Sequence, residues 1–179
     1  KEQVIPFLYS SSYVVEKTGA CNCIKIMDGK LLGHNTDVIA FEYSLKKELK
    51  PRHQKALILG SGGVSKAVAF VLKKMGIDYK IVSRKASEDH LTWDQITTLM
   101  IREHLLIINT TPLGMYPKVS EFPLLPYESV TSDHFLFDMV YNPDKTLFLK
   151  KGEEKGAEIK NGYEMLIIQA EESWRIWNS

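Results

Sequence analysis

The residues best suited to chemistry are a glycine-rich run, Gly60-Ser61-Gly62-Gly63-Val64-Ser65-Lys66. It follows the short apolar run 56–59, which reads as a strand buried on both faces, and opens an amphipathic stretch over 64–75. A tight strand-to-helix turn needs glycine first. A second glycine lets the backbone approach a pyrophosphate, and a small third residue, here Ser65, lets helix and strand pack closely. The free N–H groups and positive end of the helix then face the phosphates. The run predicts a dinucleotide site built on Gly60, Ser61, Gly62, Gly63 and Val64; a purely structural glycine turn is the alternative. The next strand, 79–82, leads into Ser83-Arg84-Lys85. An acidic residue there would hold a ribose 2′-hydroxyl, whereas a guanidinium suits a 2′-phosphate through paired charge-assisted bonds. Arg84 above all, with Ser83 and Lys85, therefore points to NADP rather than NAD; a solvated basic turn is the alternative.

Elements must position these groups. Strand, glycine loop, helix and strand within about 30 residues make a βαβ unit. Further strands are predicted at 105–109 and 135–138, a helix near 146–155, a strand-like turn at 157–159 and a last helix over 162–177. That helix carries Leu166, Ile167, Ala170 and Trp174 on one side. Strands alternating with helices imply an α/β fold, a Rossmann-like doubly wound parallel sheet. Asn109 and Thr110 end one strand, where open α/β sheets place their ligands. Ahead of this unit, residues 2–17 read as a short irregular helical region. The alternating segment 20–27 ends in a hairpin signal, Asp28-Gly29. Asn35-Thr36-Asp37 supplies capping residues for a helix to about Leu49. Residues 1–50, 51–160 and 161–179 thus form a front segment with linker helix, a dinucleotide-binding domain and a returning helix.

Composition narrows the function classes. With 23 basic and 22 acidic residues in 179, the formal net charge is +1 and no basic stripe forms, so nucleic acid and membrane are not expected as partners. No apolar run approaches the about 18 residues of a membrane span. On a strand, Cys21 and Cys23 would share a face with Cα atoms about 6.5 Å apart, near the limit for a disulfide. They read as reduced thiols of a cytoplasmic protein. The five histidines have no metal-ligand spacing with them, so no metal is expected.

Four further segments carry a family resemblance. Gly19-Ala20-Cys21-Asn22-Cys23 resembles the "GAVNT" element of shikimate dehydrogenases, and Gly33-His34-Asn35-Thr36-Asp37 their "GxNTD". Asn109-Thr110-Thr111-Pro112-Leu113-Gly114-Met115 is similar to "NxTPLGM", and the segment from Gly162 through Met165 to Gln169-Ala170 to "GxxMLxxQA". With the glycine loop, they span nearly the whole chain in the family's order. Lys1-Glu2 resembles the family's "PxK(E)" segment.

The resemblance implies NADPH-dependent, reversible reduction of 3-dehydroshikimate to shikimate, in aromatic amino-acid biosynthesis, by a monomer or homodimer. It implies Lys1 as acid/base and Asp37 as its carboxylate partner. Asn22, on the strand face opposite the cysteines, would reach the substrate's hydroxyls. Gln169, one turn after Met165, would stand at the cleft edge. Tyr141 would lie near substrate and nicotinamide, Met139 would flank the nicotinamide, and Gly162 would join the cofactor contacts. Met115 reads as packing. The rest of the family's substrate domain is not in this sequence, so the front is a partial N-terminal substrate-binding segment. Glu164 stands where the family often has glycine, and its charge is expected to tune contacts in the cleft. Two other readings stand beside this one: an NAD(P)-dependent quinate/shikimate dehydrogenase, and a cofactor-binding fragment lacking turnover by itself.

Overall fold

The computed structural model describes every residue except Ala86. After a 3-10 turn at Ile5–Phe7 come a two-residue strand β1 (Ser10–Ser11) and a short helix α1 (Tyr13–Thr18). β2 (Cys23–Met27) and β3 (Lys30–His34) then form an antiparallel hairpin. Its turn residue Asp28 has φ 49°, the left-handed conformation an Asp-Gly pair tolerates. β1 pairs in parallel with β3, giving a three-stranded sheet in the order β1-β3-β2. Residues 2–17 were expected to be irregular and helical, yet they contain a strand. Its partners, Leu32 and Gly33, lie beyond the reach of local periodicity.

Helix α2 (Asp37–Lys46) carries the chain away from this sheet. It ends short of Leu49 because the N–H groups of Glu48 and Leu49 both donate to the Leu45 carbonyl, tightening the last turn. β4 (Lys55–Leu59), α3 (Gly63–Lys74), β5 (Asp78–Ser83) and β6 (His90–Thr92) follow. Next come α4 (Thr98–Glu103), β7 (Leu106–Asn109), β8 (Phe135–Asp138), α5 (Leu147–Glu153), β9 (Glu158–Lys160) and α6 (Tyr163–Trp177). β6 and α4 had no sequence signal, being three and six residues long, too short for a period to register.

All six strands from β4 to β9 are parallel, in the order β6-β5-β4-β7-β8-β9. The chain thus winds outward twice from β4, and strand order reverses between β4 and β7. Both faces of the sheet are covered, which explains the continuous apolar runs. Ala56, Ile58, Leu106, Ile108, Phe135 and Phe137 pack on the side of α2 and α3. Leu57, Leu59, Ile107 and Leu136 point the other way, toward Ile101 of α4 and Phe148 and Leu149 of α5.

The last helix buries a different face from its most apolar one. Met165, Ser173 and Ile176 are buried, while Ile167 and Trp174 are 42% and 67% exposed. The inward side packs Met165 and Ile168 into the core, the Trp177 indole donates to the Ile24 carbonyl at 3.0 Å, and Ser173 is held from the other side as described below. Cys21 and Cys23 are buried free thiols. Among the described residues no helix is long and apolar enough to cross a membrane, and no His/Cys/Asp/Glu cluster could hold a metal.

Phe137 is fully buried, edge-on to Phe41 of α2 at 5.3 Å between ring centroids. Phe137→Ala should lower unfolding free energy by about 3–5 kcal/mol, read from urea denaturation midpoints at unchanged slope.

Candidate active site

The glycine turn lies at the carboxyl end of β4, beside the point where strand order reverses, which is where open α/β sheets bind ligands. Gly60 has φ 115°, and a Cβ there would fall 2.6 Å from Thr110 Oγ1. Only glycine fits both constraints. Around Gly62, by contrast, a Cβ would meet nothing within 4 Å. Gly62 precedes α3 with no side-chain cap, so the first-turn N–H groups have no partner within the helix or from a capping side chain. Uncapped donors, room and the positive helix end fit a phosphate group. At the end of β5, the Ser83 hydroxyl donates to the Lys85 carbonyl and accepts its N–H at 3.3 Å. Ser83 therefore braces the turn, while Arg84 and Lys85 stand exposed.

The opposite wall comes from the ends of β7 and β8. Thr110 donates to the Leu59 carbonyl twice, from its N–H and from Oγ1, each at 2.8 Å. The Met139 N–H donates to the Asn109 carbonyl at 2.9 Å. Gly162 then presses on Met139 so closely that a Cβ would lie 2.2 Å from the Met139 carbonyl oxygen. Between these loops is a depression of about 400 Å³ lined by Thr110, Thr111, Pro112, Met139 and Tyr141. Met115, read as a packing residue, is 48% exposed and also lines it.

Beneath the depression Asp138 is fully buried. Its Oδ1 accepts from Asn109 Nδ2 at 2.9 Å and Val140 N–H at 3.0 Å, and its Oδ2 accepts from Thr146 Oγ1 at 2.6 Å. Burial pushes its pKa up to about 6, against the pull of these three donors.

The front segment supplies the acid–base groups. Asp37, in the first turn of α2 and 7% exposed, is ion-paired with Lys1. The Lys1 side chain lies over the glycine turn, its Cδ 3.2 Å from where a Cβ of Gly63 would be. Asp37 does not cap its helix. Asn35 closes a turn before it, its Oδ1 accepting the Asp37 N–H at 3.1 Å while its Nδ2 donates to the Ala20 carbonyl at 2.8 Å. Thr36 holds the N-cap position, but its side chain makes no cap hydrogen bond. Asn22 Oδ1 accepts the Thr36 N–H at 2.8 Å and Asn22 Nδ2 donates to Thr36 Oγ1 at 3.0 Å. Thr36 Oγ1 also meets Ser173 Oγ at 3.2 Å, and Ser173 donates to the Gln169 carbonyl at 2.7 Å. Asn22 keeps one Nδ2–H for a ligand; Gln169, whose Nε2 donates to the Leu166 carbonyl at 2.9 Å, keeps its Oε1.

These contacts form a nearly continuous ring: Asp37, Lys1, the glycine turn, Thr110, Asn109, Met139, Gly162, then along α6 to Gln169, Ser173 and Thr36. Ser173 and the supporting Asp138 were given no role by sequence reasoning, and Asn35 and Thr36 were read only as capping residues. Only Asp138 had a local signal, an acid closing an otherwise apolar strand. Glu164 does not face this ring. It is ion-paired with Lys47 and Lys160 and accepts from Ser44 Oγ at 3.1 Å. These contacts, Lys160 first, hold its pKa down at about 2, so it ties α6 to α2 and does not tune the cleft. A larger cavity, about 1110 Å³, lies among α1, α2, α3 and the end of α6. Asn35, Thr36 and Lys66 line it, whereas Asp37, Tyr141 and Gly60–Val64 do not.

Known proteins are similar to this chain over almost its whole length. The shikimate dehydrogenase (NADP+) of Carboxydothermus hydrogenoformans is 35% identical over 99% of the chain and 69% of its own length. The chain belongs to the shikimate dehydrogenase family. It spans about two thirds of the length of such relatives; that of Caldicellulosiruptor bescii, 38% identical, is covered to 66%. Among solved shikimate dehydrogenases, that of Aquifex aeolicus superposes with a TM-score of 0.88 at 31% identity, covering 99% of this chain and 68% of that one. That of Thermus thermophilus, in complex with NADP(H) and shikimate, gives 0.86 at 30% identity over 99% and 69%. No protein-family model matches the chain.

The Asp138 carboxyl generates a pH prediction. Its folded pKa of about 6 lies above the ordinary 3.8, so the folded state binds the proton more tightly. Its contribution to stability is fully present below the unfolded value and is lost as pH rises through the folded one. The loss should be about 3 kcal/mol. Denaturation midpoints of wild type and Asp138→Asn followed across that window should differ in slope, the variant being flatter.

Proposed function

We propose that this chain carries out the NADPH-dependent, reversible reduction of 3-dehydroshikimate to shikimate, a step toward aromatic amino acids. The observation that carries this reading is the Lys1–Asp37 ion pair lying against the glycine turn. It brings an acid–base group beside a dinucleotide site. When bound, the nicotinamide supplies the hydride for the ketone carbon. The chain's own groups must then manage the charge that develops on oxygen.

In this reading Lys1 donates a proton from Nζ to the developing alkoxide, and in the reverse direction its amine takes the hydroxyl proton. Asp37 holds the ammonium in place and accepts from a substrate hydroxyl. The remaining Nδ2–H of Asn22 and the Oε1 of Gln169 address other hydroxyls, and Tyr141 closes the substrate side from the β8 loop. The glycine-turn N–H groups of Ser61, Gly62, Gly63 and Val64 bind the pyrophosphate, with Gly60 making the turn. Arg84 takes the 2′-phosphate, with Lys85 beside it and Ser83 bracing both. Asn109, Thr110, Met139 and Gly162 shape the nicotinamide end. Residues 51–160 are the cofactor domain, residues 1–50 the partial substrate segment, and residues 161–179 return to the substrate cleft. The buried free thiols of Cys21 and Cys23 suit a cytoplasmic setting.

The test pairs a titration with an assay. The chain should bind NADP in preference to NAD, and Arg84→Asp should weaken NADP by about 10- to 100-fold, the worth of lost charge-assisted bonds. Asp37→Asn should lower kcat for shikimate oxidation by about 10²–10⁴ with little change in NADP affinity. Binding of NADP with no turnover by the chain alone would leave the cofactor site and remove the catalytic claim for this length. Unchanged turnover in Asp37→Asn would remove Asp37 and Lys1 from the chemistry.

A further inference from the structure

Asp138 is a carboxylate buried without a cation. It takes part in none of the ion pairs found among the described residues, and burial raises its pKa. A group so disfavoured by its surroundings needs a reason that stability does not supply. The geometry gives one. Asp138 stands at the end of β8, between the loop that carries Thr110 and the loop that carries Met139 and Tyr141.

An ionised carboxylate only accepts hydrogen bonds, so the group facing it must be a donor. Facing Oδ1 is the Asn109 amide, which is therefore turned with Nδ2 toward Asp138. Asn109 Oδ1 is then left to accept the Thr111 N–H at 3.0 Å and the Thr111 hydroxyl at 2.6 Å. The Thr111 hydroxyl oxygen in turn accepts the Leu113 N–H at 3.3 Å. On the other side, Asp138 Oδ1 takes the Val140 N–H, one residue from Met139 and one from Tyr141. Both walls of the 400 Å³ depression are thus tied to one carboxylate.

We propose that Asp138 is a positioning residue for the nicotinamide half of the cofactor, setting the amide polarity of Asn109 and through it the spacing of the two loops. The inference rests on reading the cleft as a dinucleotide site. An amide at position 138 keeps the shape and loses the charge. Its oxygen can stay on Asn109 and Val140 only if its NH2 faces Thr146, whose hydroxyl must then turn from donating to accepting. Thr146, also buried, lies outside the depression and donates to Oδ2, so it tests the same device without touching its walls.

The experiment separates the two halves of the cofactor. Affinities for NADP and for adenosine 2′,5′-bisphosphate, which lacks the nicotinamide, are measured by calorimetry in wild type, Asp138→Asn, Thr146→Val and Thr146→Ser. Asp138→Asn and Thr146→Val should weaken NADP about tenfold, as one misplaced hydrogen-bonded contact would. Neither should change affinity for the bisphosphate, and Thr146→Ser should behave as wild type. NADP affinity unchanged in both weakened variants, or NADP and bisphosphate weakened equally, would overturn the proposal. Should Asp138→Asn fail to fold, the Thr146 pair decides alone. A wild-type chain that binds neither ligand overturns the dinucleotide reading beneath it, a separate and recognisable result.

Discussion

The hydrogen-bonded ladder between β4 and β7 is the contact from which the rest of the molecule is organised. Two parallel strands lie side by side there, and the chain leaves them in opposite directions across the sheet. Connections depart to opposite sides, so nothing fills the space above the carboxyl ends of these strands. The glycine turn and Thr110 border that space directly. Gly60 has to be glycine because Thr110 Oγ1 sits where its side chain would be. Thr110 in turn is held by the last carbonyl of β4. Cleft and ladder are therefore one structure.

The front segment is fastened to this cleft by polar contacts as well as by burial. The two side-chain bonds between Asn22 and Thr36 join the start of the small sheet's hairpin to the start of α2. Ser173 extends the connection to α6. These groups are buried or half-buried, where an unpaired donor would cost about 1–3 kcal/mol. Among the described residues, no buried side-chain nitrogen or oxygen lacks a partner. The arrangement is correspondingly specific: moving α6 by one residue along α2 would break the Thr36–Ser173 contact and the Ser44–Glu164 hydrogen bond together. Glu164 adds ionic contacts to α2 and to Lys160 at the far end of the same interface.

Opposed demands meet at Asp138. The sheet buries its carboxyl for packing, and the neighbouring loops need an acceptor that never donates. Burial opposes ionisation, while Asn109, Val140 and Thr146 favour it. Elsewhere in the sheet the polar burden is light, because the strands alternate apolar residues between two covered faces. Strain and polarity are concentrated at the carboxyl ends of the strands, the side that carries the candidate site.

Much of this was legible in the chain of letters. Continuous apolar runs followed by glycine or by helix caps announce buried parallel strands, because a strand covered on both faces has no polar side. The Gly60–Val64 pattern announces its turn, since only glycine tolerates the backbone at Gly60. Asp37 and Lys1 were marked by resemblance, yet 36 positions separate them and no local rule joins them. The pairing of Ser10 with Leu32, the linking of Thr36 to Ser173 and the orientation of α6 were likewise closed to sequence reading. The inward side of α6 carries Met165, Ser173 and Ile176, with Ser173 meeting Thr36 ahead of α2 and Trp177 meeting Ile24 of β2. The sequence by itself marked the buried central strands, the turn that must open on glycine and the residue types available for chemistry. Tertiary structure alone decided which of them meet, because contacts between distant segments depend on how faces pack and on which buried polar atoms must find partners.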